Sequence, residues 1–246
     1  MAMSKKTTDA PAHTPADLAG IAREDARFGI DFLRRRWRRL LLAFVGVLLP
    51  LVGFGALAEE LHEGDAFSFD APLLQLAHEL ASHGWNRVFL LFSKLGYEWG
   101  VVPFDIALVL VLAAMRKVRE GLFAGIALGG SALLNLGAKQ FFARERPSLW
   151  ESIAPESTYS FPSGHAMGSM TLAAVLVLLA WRTRWRWWVA LPALAFALLV
   201  GLSRVYLGVH YPSDILAGWA AAIAWAVLAY LLVFPHGQRP WKQATG

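Results

Sequence analysis

The sequence predicts an all-α integral membrane protein, a bundle of six transmembrane helices with an amphipathic interfacial helix between the first two spans. Of its 246 residues, 57% are hydrophobic, and the mean hydropathy is positive at +0.45. Soluble domains of this size are closer to half apolar. The apolar residues gather in runs of about 17 residues or more, the length that crosses a bilayer. Basic residues cluster at the ends of these runs, as is typical of membrane-protein loops.

The apolar runs divide the chain into one membrane domain and two polar ends. Residues 1–39 are predicted to be a basic cytoplasmic segment, residues 40–234 the membrane domain and residues 235–246 a cytoplasmic tail. Basic clusters such as residues 34–39 also occur in nucleic-acid-binding proteins. Here the first apolar run begins at once, at Leu40, which favours a topology signal and no nucleic-acid partner. The predicted spans are residues 40–58, 99–115, 121–138, 165–181, 187–202 and 212–234.

The connection between the first two spans, residues 59–98, is long and mainly acidic. Asp70 followed by Pro72 is typical of a helix start. The apolar residues after it recur at helical spacing: Leu73, Leu74, Ala77 and Leu80. A helix lying across the outer surface fits this pattern, and a lid over a functional site is the alternative. In the third span, Gly125 and Gly129 predict close helix packing.

The distribution of basic residues predicts the orientation in the membrane. Of the 23 Lys and Arg residues, 17 fall on the side of the two chain ends and six on the opposite side. Because cytoplasmic loops are enriched in Lys and Arg, both termini are predicted to be cytoplasmic. The chain contains no Asn-x-Ser/Thr site, which agrees with a bacterial inner membrane. The polar motifs described next then lie on the periplasmic or extracellular face.

Three motif segments at the edges of the predicted spans have the residue types that bind phosphate. Lys139, Arg146 and Arg204 supply fixed positive charge, and an arginine can hold two phosphate oxygens at once. Pro162-Ser163-Gly164 precedes a predicted helix, so it offers a hydroxyl, backbone N–H groups and the positive end of a helix dipole. Arg144, between the first two cations, either touches the substrate or is a solvated charge at the rim.

Two histidines beside these cations suit proton transfer and nucleophilic attack. His210 and Asp214 are four residues apart, so one helical turn would bring the carboxylate next to the imidazole. The carboxylate would fix the tautomer and leave the other ring nitrogen free to attack phosphorus. His165 is then the natural proton donor to the leaving group. The chain has no cysteine, which excludes disulfides, thiolate metal sites and cysteine nucleophiles.

Together these segments resemble the signature of the type 2 phosphatidic acid phosphatase (PAP2) superfamily, which includes lipid phosphatases, glucose-6-phosphatase and vanadium haloperoxidases. The signature consists of Lys, six residues and Arg-Pro, then Pro-Ser-Gly-His, then Ser-Arg, five residues, His, three residues and Asp. All eleven specified positions match within residues 139–214. By its six-helix pattern the resemblance extends over most of the chain from residue 40 onward.

The resemblance implies a role for each matched position. His210 would be the nucleophile that forms a phosphohistidine, Asp214 would orient it, and His165 would be the general acid. The implied phosphate ligands are Lys139, Arg146, Ser163, Gly164 and Arg204. No metal and no cofactor are required in the family.

The function that follows is that of a membrane lipid phosphatase, a metal-independent hydrolase acting on a lipid phosphate or diphosphate at the outer face. Its expected partners are the lipid substrate and the bilayer. A phosphotransferase that passes the group to another acceptor has the same motifs and is an alternative. A non-catalytic transporter or scaffold of the same fold is a second alternative, against which the complete set of catalytic residue types argues. Six lipid spans argue against a vanadate-dependent peroxidase.

Overall fold

The computed structural model describes residue 34 and residues 36–64, 67–235 and 240–241. Within these ranges there are helices and no β-strand, which confirms the all-α prediction. A π-helical turn, Phe44–Leu48, leads into the first numbered helix. The α-helices are α1 (Leu49–His62), α2 (Asp70–Glu79), α3 (His83–Leu95), α4 (Val101–Ala114), α5 (Val118–Phe142), α6 (Gly164–Ala180), α7 (Arg186–Tyr206) and α8 (Pro212–Val233). Most of the predicted segments 1–39 and 235–246 lies outside the described residues, so those boundaries remain predictions.

Four helical stretches of the described residues are long and apolar enough to cross a membrane: Arg36–His62, α5, α7 and α8. They correspond to the predicted first, third, fifth and sixth spans. α4 and α6 are apolar but contain 14 and 17 residues. At about 1.5 Å per residue they are shorter than the roughly 30 Å of a hydrocarbon core. The count of six spans therefore stays a prediction.

α5 and α7 extend beyond their predicted ends, and two cations are helical as a result. We expected Lys139 and Arg204 to lie in the connections between spans, because each of the two predicted spans before them ended at its last apolar residue. Instead α5 ends where Ala143 adopts a left-handed conformation with a φ of 45°, and α7 reaches Tyr206. Both cations are buried. A helix can keep a charged residue in its last turn when that residue faces a polar interior site.

The acidic connection folds into two helices, of which only the first was predicted. α2 begins at Asp70, as expected, and α3 follows it. The Asp70 carboxylate is buried and accepts hydrogen bonds from the backbone N–H and the hydroxyl of Ser213, at 2.9 and 2.5 Å. α2 is thereby attached to the first turn of α8, while α3 packs along α7. The interfacial position of α2 remains a prediction.

α6 packs against α5, α7 and α8, and its first turn approaches α8 closely. A Cβ on Gly218 of α8 would lie 2.9 Å from the Ser163 carbonyl oxygen. Glycine at this position therefore allows the beginnings of two helices to meet, which brings the second and third motif segments together. In contrast, no described atom outside the helix's own backbone lies within 4 Å of a Cβ placed on Gly125 or Gly129. The predicted close packing at that glycine pair is wrong.

Candidate active site

The three motif segments meet around one cavity at the ends of α5, α6 and α7. Its volume is about 800 Å³. Five of the eight predicted site residues line it: Lys139, Gly164, His165, Arg204 and His210. The other three lie directly beside these, since Arg146 and Asp214 hydrogen-bond to His210 and Ser163 precedes Gly164. The fold therefore gathers all eight predicted residues in one place, while their individual roles remain predictions.

His210 is fully buried and is contacted on both ring nitrogens. Its Nδ1 lies 3.3 Å from Asp214 Oδ2, and its Nε2 lies 3.1 Å from Arg146 Nη1. An ionised carboxylate only accepts hydrogen bonds and a guanidinium only donates them, so Nδ1 carries the proton and Nε2 is the acceptor. Burial lowers the pKa of His210 to about 4, although the hydrogen bond to Asp214 opposes this shift. The imidazole is therefore neutral at neutral pH, with its lone pair on Nε2.

The predicted proximity of His210 and Asp214 is confirmed, but a shared helical turn is not its cause. His210 precedes α8, whose N-cap is Tyr211. Asp214 is the third residue of α8, and its carboxylate turns back to accept the Tyr211 backbone N–H at 2.9 Å. This capping interaction leaves the same oxygen facing the imidazole. The four-residue spacing thus works through a helix start.

Asp214 is fully buried and accepts hydrogen bonds from several groups besides His210. The Ser160 hydroxyl donates to Oδ2, and Arg144 Nη1 donates to Oδ1 at 2.5 Å. Because a buried carboxylate is costly unless it is paired, these donors keep Asp214 ionised and in one orientation. Ser160 was not among the predicted site residues.

Arg144 is a largely enclosed bridge between two carboxylates, and its prediction as a solvated rim charge is wrong. Its side chain is 12% exposed, and Nη2 contacts Asp70 Oδ2 at 2.9 Å while Nη1 contacts Asp214. Its guanidinium also lies 4.0 Å from the centre of the Tyr211 ring. Arg144 is not among the described residues that line the cavity. It therefore acts from behind the His210–Asp214 pair and links that pair to α2.

The three predicted phosphate-binding cations surround the cavity from different elements. Arg204 of α7 is 1% exposed, and its Nη1 donates to Ser93 of α3. Lys139 of α5 donates through Nζ to Thr158 Oγ1 at 3.2 Å and to the Tyr159 carbonyl. Arg146 lies in the connection after α5, where it contacts His210. Cations held by three separate elements keep a fixed geometry around an anion between them.

Glu156 is a second unpredicted member of the site and lies among these cations. Its Oε2 accepts from Arg146 Nη2 at 2.7 Å, and its Oε1 accepts from Arg204 Nη2. The same Oε1 lies 3.9 Å from His165 Nδ1. Burial raises the pKa of Glu156, but the neighbouring Arg204 and Arg146 guanidinium groups, together with His165, outweigh it and lower this pKa to about 2. Glu156 is thus ionised throughout the physiological range.

The beginning of α6 has the predicted form of an anion-binding helix N-terminus. Ser163 is the N-cap residue, and its hydroxyl accepts from the Ala166 backbone N–H at 3.5 Å. A Cβ on Gly164 would lie 3.0 Å from Asn135 Oδ1 of α5, so glycine keeps the helix start close to Lys139. The Ser163 hydroxyl is buried and occupied by the cap. Its predicted contact with phosphate is untested.

Three hydrogen bonds hold the segment between α5 and α6 in place. The Ser160 backbone N–H donates to the Arg144 carbonyl at 2.8 Å, and the Ser163 backbone N–H donates to the Asp214 carbonyl at 3.1 Å. Further along, the Ser152 hydroxyl donates to the Leu207 carbonyl at 2.6 Å. Arg146 and Glu156 are held between these attachment points.

The arrangement combines an oriented imidazole, a second imidazole and a cluster of cations around one cavity. Imidazoles and cations arranged in this way are able to transfer a phosphoryl group through a histidine. Within the described residues, no group of three or more His, Asp and Glu side chains is arranged to hold a metal ion.

Comparison with known proteins agrees with this arrangement. The model of the PAP2 superfamily matches residues 120–238. The chain is 30% identical over 175 residues to phosphatidylglycerophosphatase B of Bacillus subtilis, covering 69% of this chain and 86% of that protein. It is 33% identical over 156 residues to an undecaprenyl-diphosphatase of Sulfolobus acidocaldarius, covering 61% and 72%. A crystal structure of a transmembrane PAP2-type phosphatidylglycerolphosphate phosphatase from B. subtilis superposes with a TM-score of 0.68 at 27% identity, covering 75% of this chain and 94% of that one.

The fold of the described residues, which contains helices and no strand, and the relatives together define an integral membrane enzyme. The chain belongs to the PAP2 superfamily. The family predicted from the three motifs is confirmed, and so is the enzyme class, a PAP2-type hydrolase.

Proposed function

We propose that the protein hydrolyses a lipid phosphate or lipid diphosphate at the outer face of a bacterial inner membrane, through a phosphohistidine on His210. The observation that carries this proposal is the His210–Asp214 pair, with 3.3 Å between Nδ1 and Oδ2, beside the cavity that His165, Lys139 and Arg204 also line. The names of the two relatives, a phosphatidylglycerophosphatase and an undecaprenyl-diphosphatase, support a lipid-bound phosphate as the substrate.

In the first half-reaction, His210 Nε2 attacks the phosphorus atom while Nδ1–H stays hydrogen-bonded to Asp214. The bond between phosphorus and the lipid oxygen breaks, and protonated His165 gives its proton to that oxygen. Arg146, whose Nη1 lies 3.1 Å from Nε2, turns from the ring nitrogen to the phosphoryl oxygens. There it stabilises the developing charge together with Arg204 and Lys139.

In the second half-reaction, water replaces the imidazole on phosphorus. His165, now neutral, takes a proton from the water as its oxygen attacks, and the phosphorus–nitrogen bond breaks. Inorganic phosphate leaves and His210 returns to its neutral form. Apart from the substrate and water, these steps use only side chains of this chain.

The outer face follows from the proposed topology. Six spans with both termini cytoplasmic put the ends of α5 and α7 and the beginnings of α6 and α8 on the side with few basic residues. The substrate then arrives laterally from the outer leaflet. Reporter fusions after residues 118 and 155 are expected to give cytoplasmic and external signals respectively. Signals from the same side would contradict this topology.

The test of the reaction is phosphate release by the purified protein in detergent. The substrate panel contains phosphatidic acid, phosphatidylglycerol phosphate, an isoprenyl diphosphate and a lipid A phosphate. We expect release from at least one of these lipids that persists with a metal chelator and is blocked by vanadate. His210→Ala removes the nucleophile and is expected to lower the rate by about 10⁴-fold or more.

The matched control for this variant is His62→Ala. His62 is an exposed histidine at the end of α1 that does not line the cavity, and its replacement should leave the rate unchanged. Full activity of folded His210→Ala would overturn the proposed mechanism.

A further inference from the structure

Glu156 accepts hydrogen bonds from the same guanidinium groups that the proposed mechanism needs to bind the phosphoryl group. Its two carboxylate oxygens are shared between two guanidinium groups, Oε2 with Arg146 and Oε1 with Arg204. A phosphoryl group bound in the same cavity would be held by the same N–H groups, each oxygen by one guanidinium. Glu156 itself lines the cavity, and its side chain is 27% exposed. One set of donors cannot serve both anions at full strength.

Whether a phosphate group displaces the Glu156 carboxylate depends on the charge of that phosphate group. Glu156 is ionised at neutral pH, because its pKa is lowered to about 2 after the cations outweigh the effect of burial. A phosphodiester carries one negative charge, so exchanging it for the carboxylate gains little electrostatic energy. A phosphomonoester carries about −1.5 to −2 at pH 7. Only the more highly charged group gains substantially when it displaces the carboxylate.

This difference matters in a bilayer, whose bulk phospholipids are phosphodiesters. A membrane cavity lined with Lys139 and Arg204 and flanked by Arg146, and without an internal anion, would attract any phospholipid head group. We propose that Glu156 is an internal competitor for Arg146 and Arg204 that excludes phosphodiester head groups and admits terminal phosphates. This inference rests on the proposed function and adds a specificity-determining residue to it.

The position of Glu156 suits such a role. It lies in the non-helical segment between α5 and α6, which is attached at Ser152 and Ser160 on either side of it. A side chain between two such attachment points can turn out of the cavity without moving helices. When it leaves, the N–H groups of Arg146 and Arg204 that it occupied become available together, and the contact with His165 is lost at the same time.

The test compares wild-type protein with Glu156→Gln, which removes the charge and keeps the shape. Glu151→Gln is the matched control, because Glu151 is an exposed residue of the same segment that does not line the cavity. Binding of vanadate and of inorganic phosphate is measured by calorimetry in detergent, which requires no turnover. Inhibition by phosphatidylglycerol, a diester, is measured in mixed micelles with a lipid monophosphate as substrate.

We expect Glu156→Gln to bind vanadate and phosphate about tenfold more tightly and to lower the KM for the monophosphate. Phosphatidylglycerol should become a competitive inhibitor of Glu156→Gln while leaving wild type and Glu151→Gln unaffected. Unchanged or weaker anion binding by Glu156→Gln would overturn the inference, and so would continued resistance to the diester. Glu156→Ala provides a second variant should the glutamine variant fail to fold.

The calorimetric arm separates this inference from the proposed function. If no variant releases phosphate from any lipid, the proposed reaction fails. Tighter anion binding by Glu156→Gln would still establish the competition. If phosphate is released but anion binding does not respond to Glu156, the reaction stands and the role of Glu156 does not.

Discussion

The two histidines of the site have opposite surroundings. His210 is 1% exposed and is held on both ring nitrogens, by Asp214 on one side and Arg146 on the other. His165 is 16% exposed, faces the cavity and lies 3.9 Å from a carboxylate oxygen of Glu156. Its ring also lies 5.2 Å from the ring of Tyr97. One imidazole is therefore fixed in a single tautomer, while the other can exchange protons at the cavity surface.

This difference matches the two demands of phosphoryl transfer. A nucleophile gains from being fixed, because an orientation set in advance costs nothing during reaction. A proton donor must alternate between two protonation states and therefore has to reach both the leaving group and water. These environments support our proposal that His210 attacks and His165 transfers the proton, the roles that the motif resemblance implied.

The largest expected effect tests the difference between the two histidines through the proton that His165 transfers. His165→Asn is expected to slow phosphohistidine formation from a lipid phosphate by about 10²–10⁴-fold, because an alkoxide leaving group needs that proton. With 4-nitrophenyl phosphate, whose leaving group needs no proton, the same variant should form phosphohistidine and then stall. Rapid-quench kinetics would show this as a burst of nitrophenol close to one per enzyme.

His210→Ala serves as the comparison for this burst and should give none. An equal loss with both leaving groups in His165→Asn would contradict the assignment of His165 as general acid.

A smaller effect is expected from the support behind His210. Arg144→Lys keeps the charge but loses the planar fork that contacts Asp214 and Asp70 together. We expect kcat to fall by about 10- to 100-fold with KM nearly unchanged, since Arg144 is not among the described residues lining the cavity. Arg87→Lys, at an exposed position of α3, should change neither constant. A rise in KM alone would show that Arg144 binds substrate.

The smallest effect concerns the protonation of His210. Its pKa is lowered to about 4, so the neutral, nucleophilic form dominates above that pH and is lost as the pH falls through it. At pH 5 roughly nine-tenths of His210 would be neutral, whereas most of a histidine with the usual pKa of about 6.5 would be charged. With 4-nitrophenyl phosphate, whose leaving group needs no proton from His165, we expect the rate of phosphohistidine formation to halve as the pH falls to about 4.

The ionisation of the substrate is measured by ³¹P NMR, and the pH dependence of phosphohistidine formation is corrected for it. A midpoint near pH 6.5 after that correction would mean that His210 is not shielded from water as the structure describes.

The parts of this molecule that were predictable from sequence depend on local patterns. Apolar runs indicate helices wherever they occur, and α8 was predicted to within one residue of its observed range, Pro212–Val233. The eight site residues could be identified from the motif spacings, because a helix N-cap and a phosphate-binding turn are short-range structures. Even the mistaken shared turn for His210 and Asp214 led to the correct contact, since a capping residue reaches back over the same distance.

The residues that were missed depend on contacts between distant parts of the chain. Arg144 was expected at the solvent because neither Asp70 nor Asp214 is near it in sequence, yet the fold brings both carboxylates to it. Glu156 lies in a segment without helical periodicity, where no sequence pattern singles it out. Its importance comes from Arg146 and Arg204, which approach it from the connection after α5 and from the end of α7.

The fastening of the segment between α5 and α6 has a consequence for how such enzymes diverge. Because the backbone N–H groups of Ser160 and Ser163 donate to the carbonyls of Arg144 and Asp214, these contacts survive any change of side chain other than to proline. The exposed residues Glu151, Ile153 and Pro155 of this segment can change while these backbone contacts keep the reacting groups at their distances. Because Ala154 and Pro155 also line the cavity, a change at either position reshapes the cavity wall while His210, Asp214 and Arg144 stay in place.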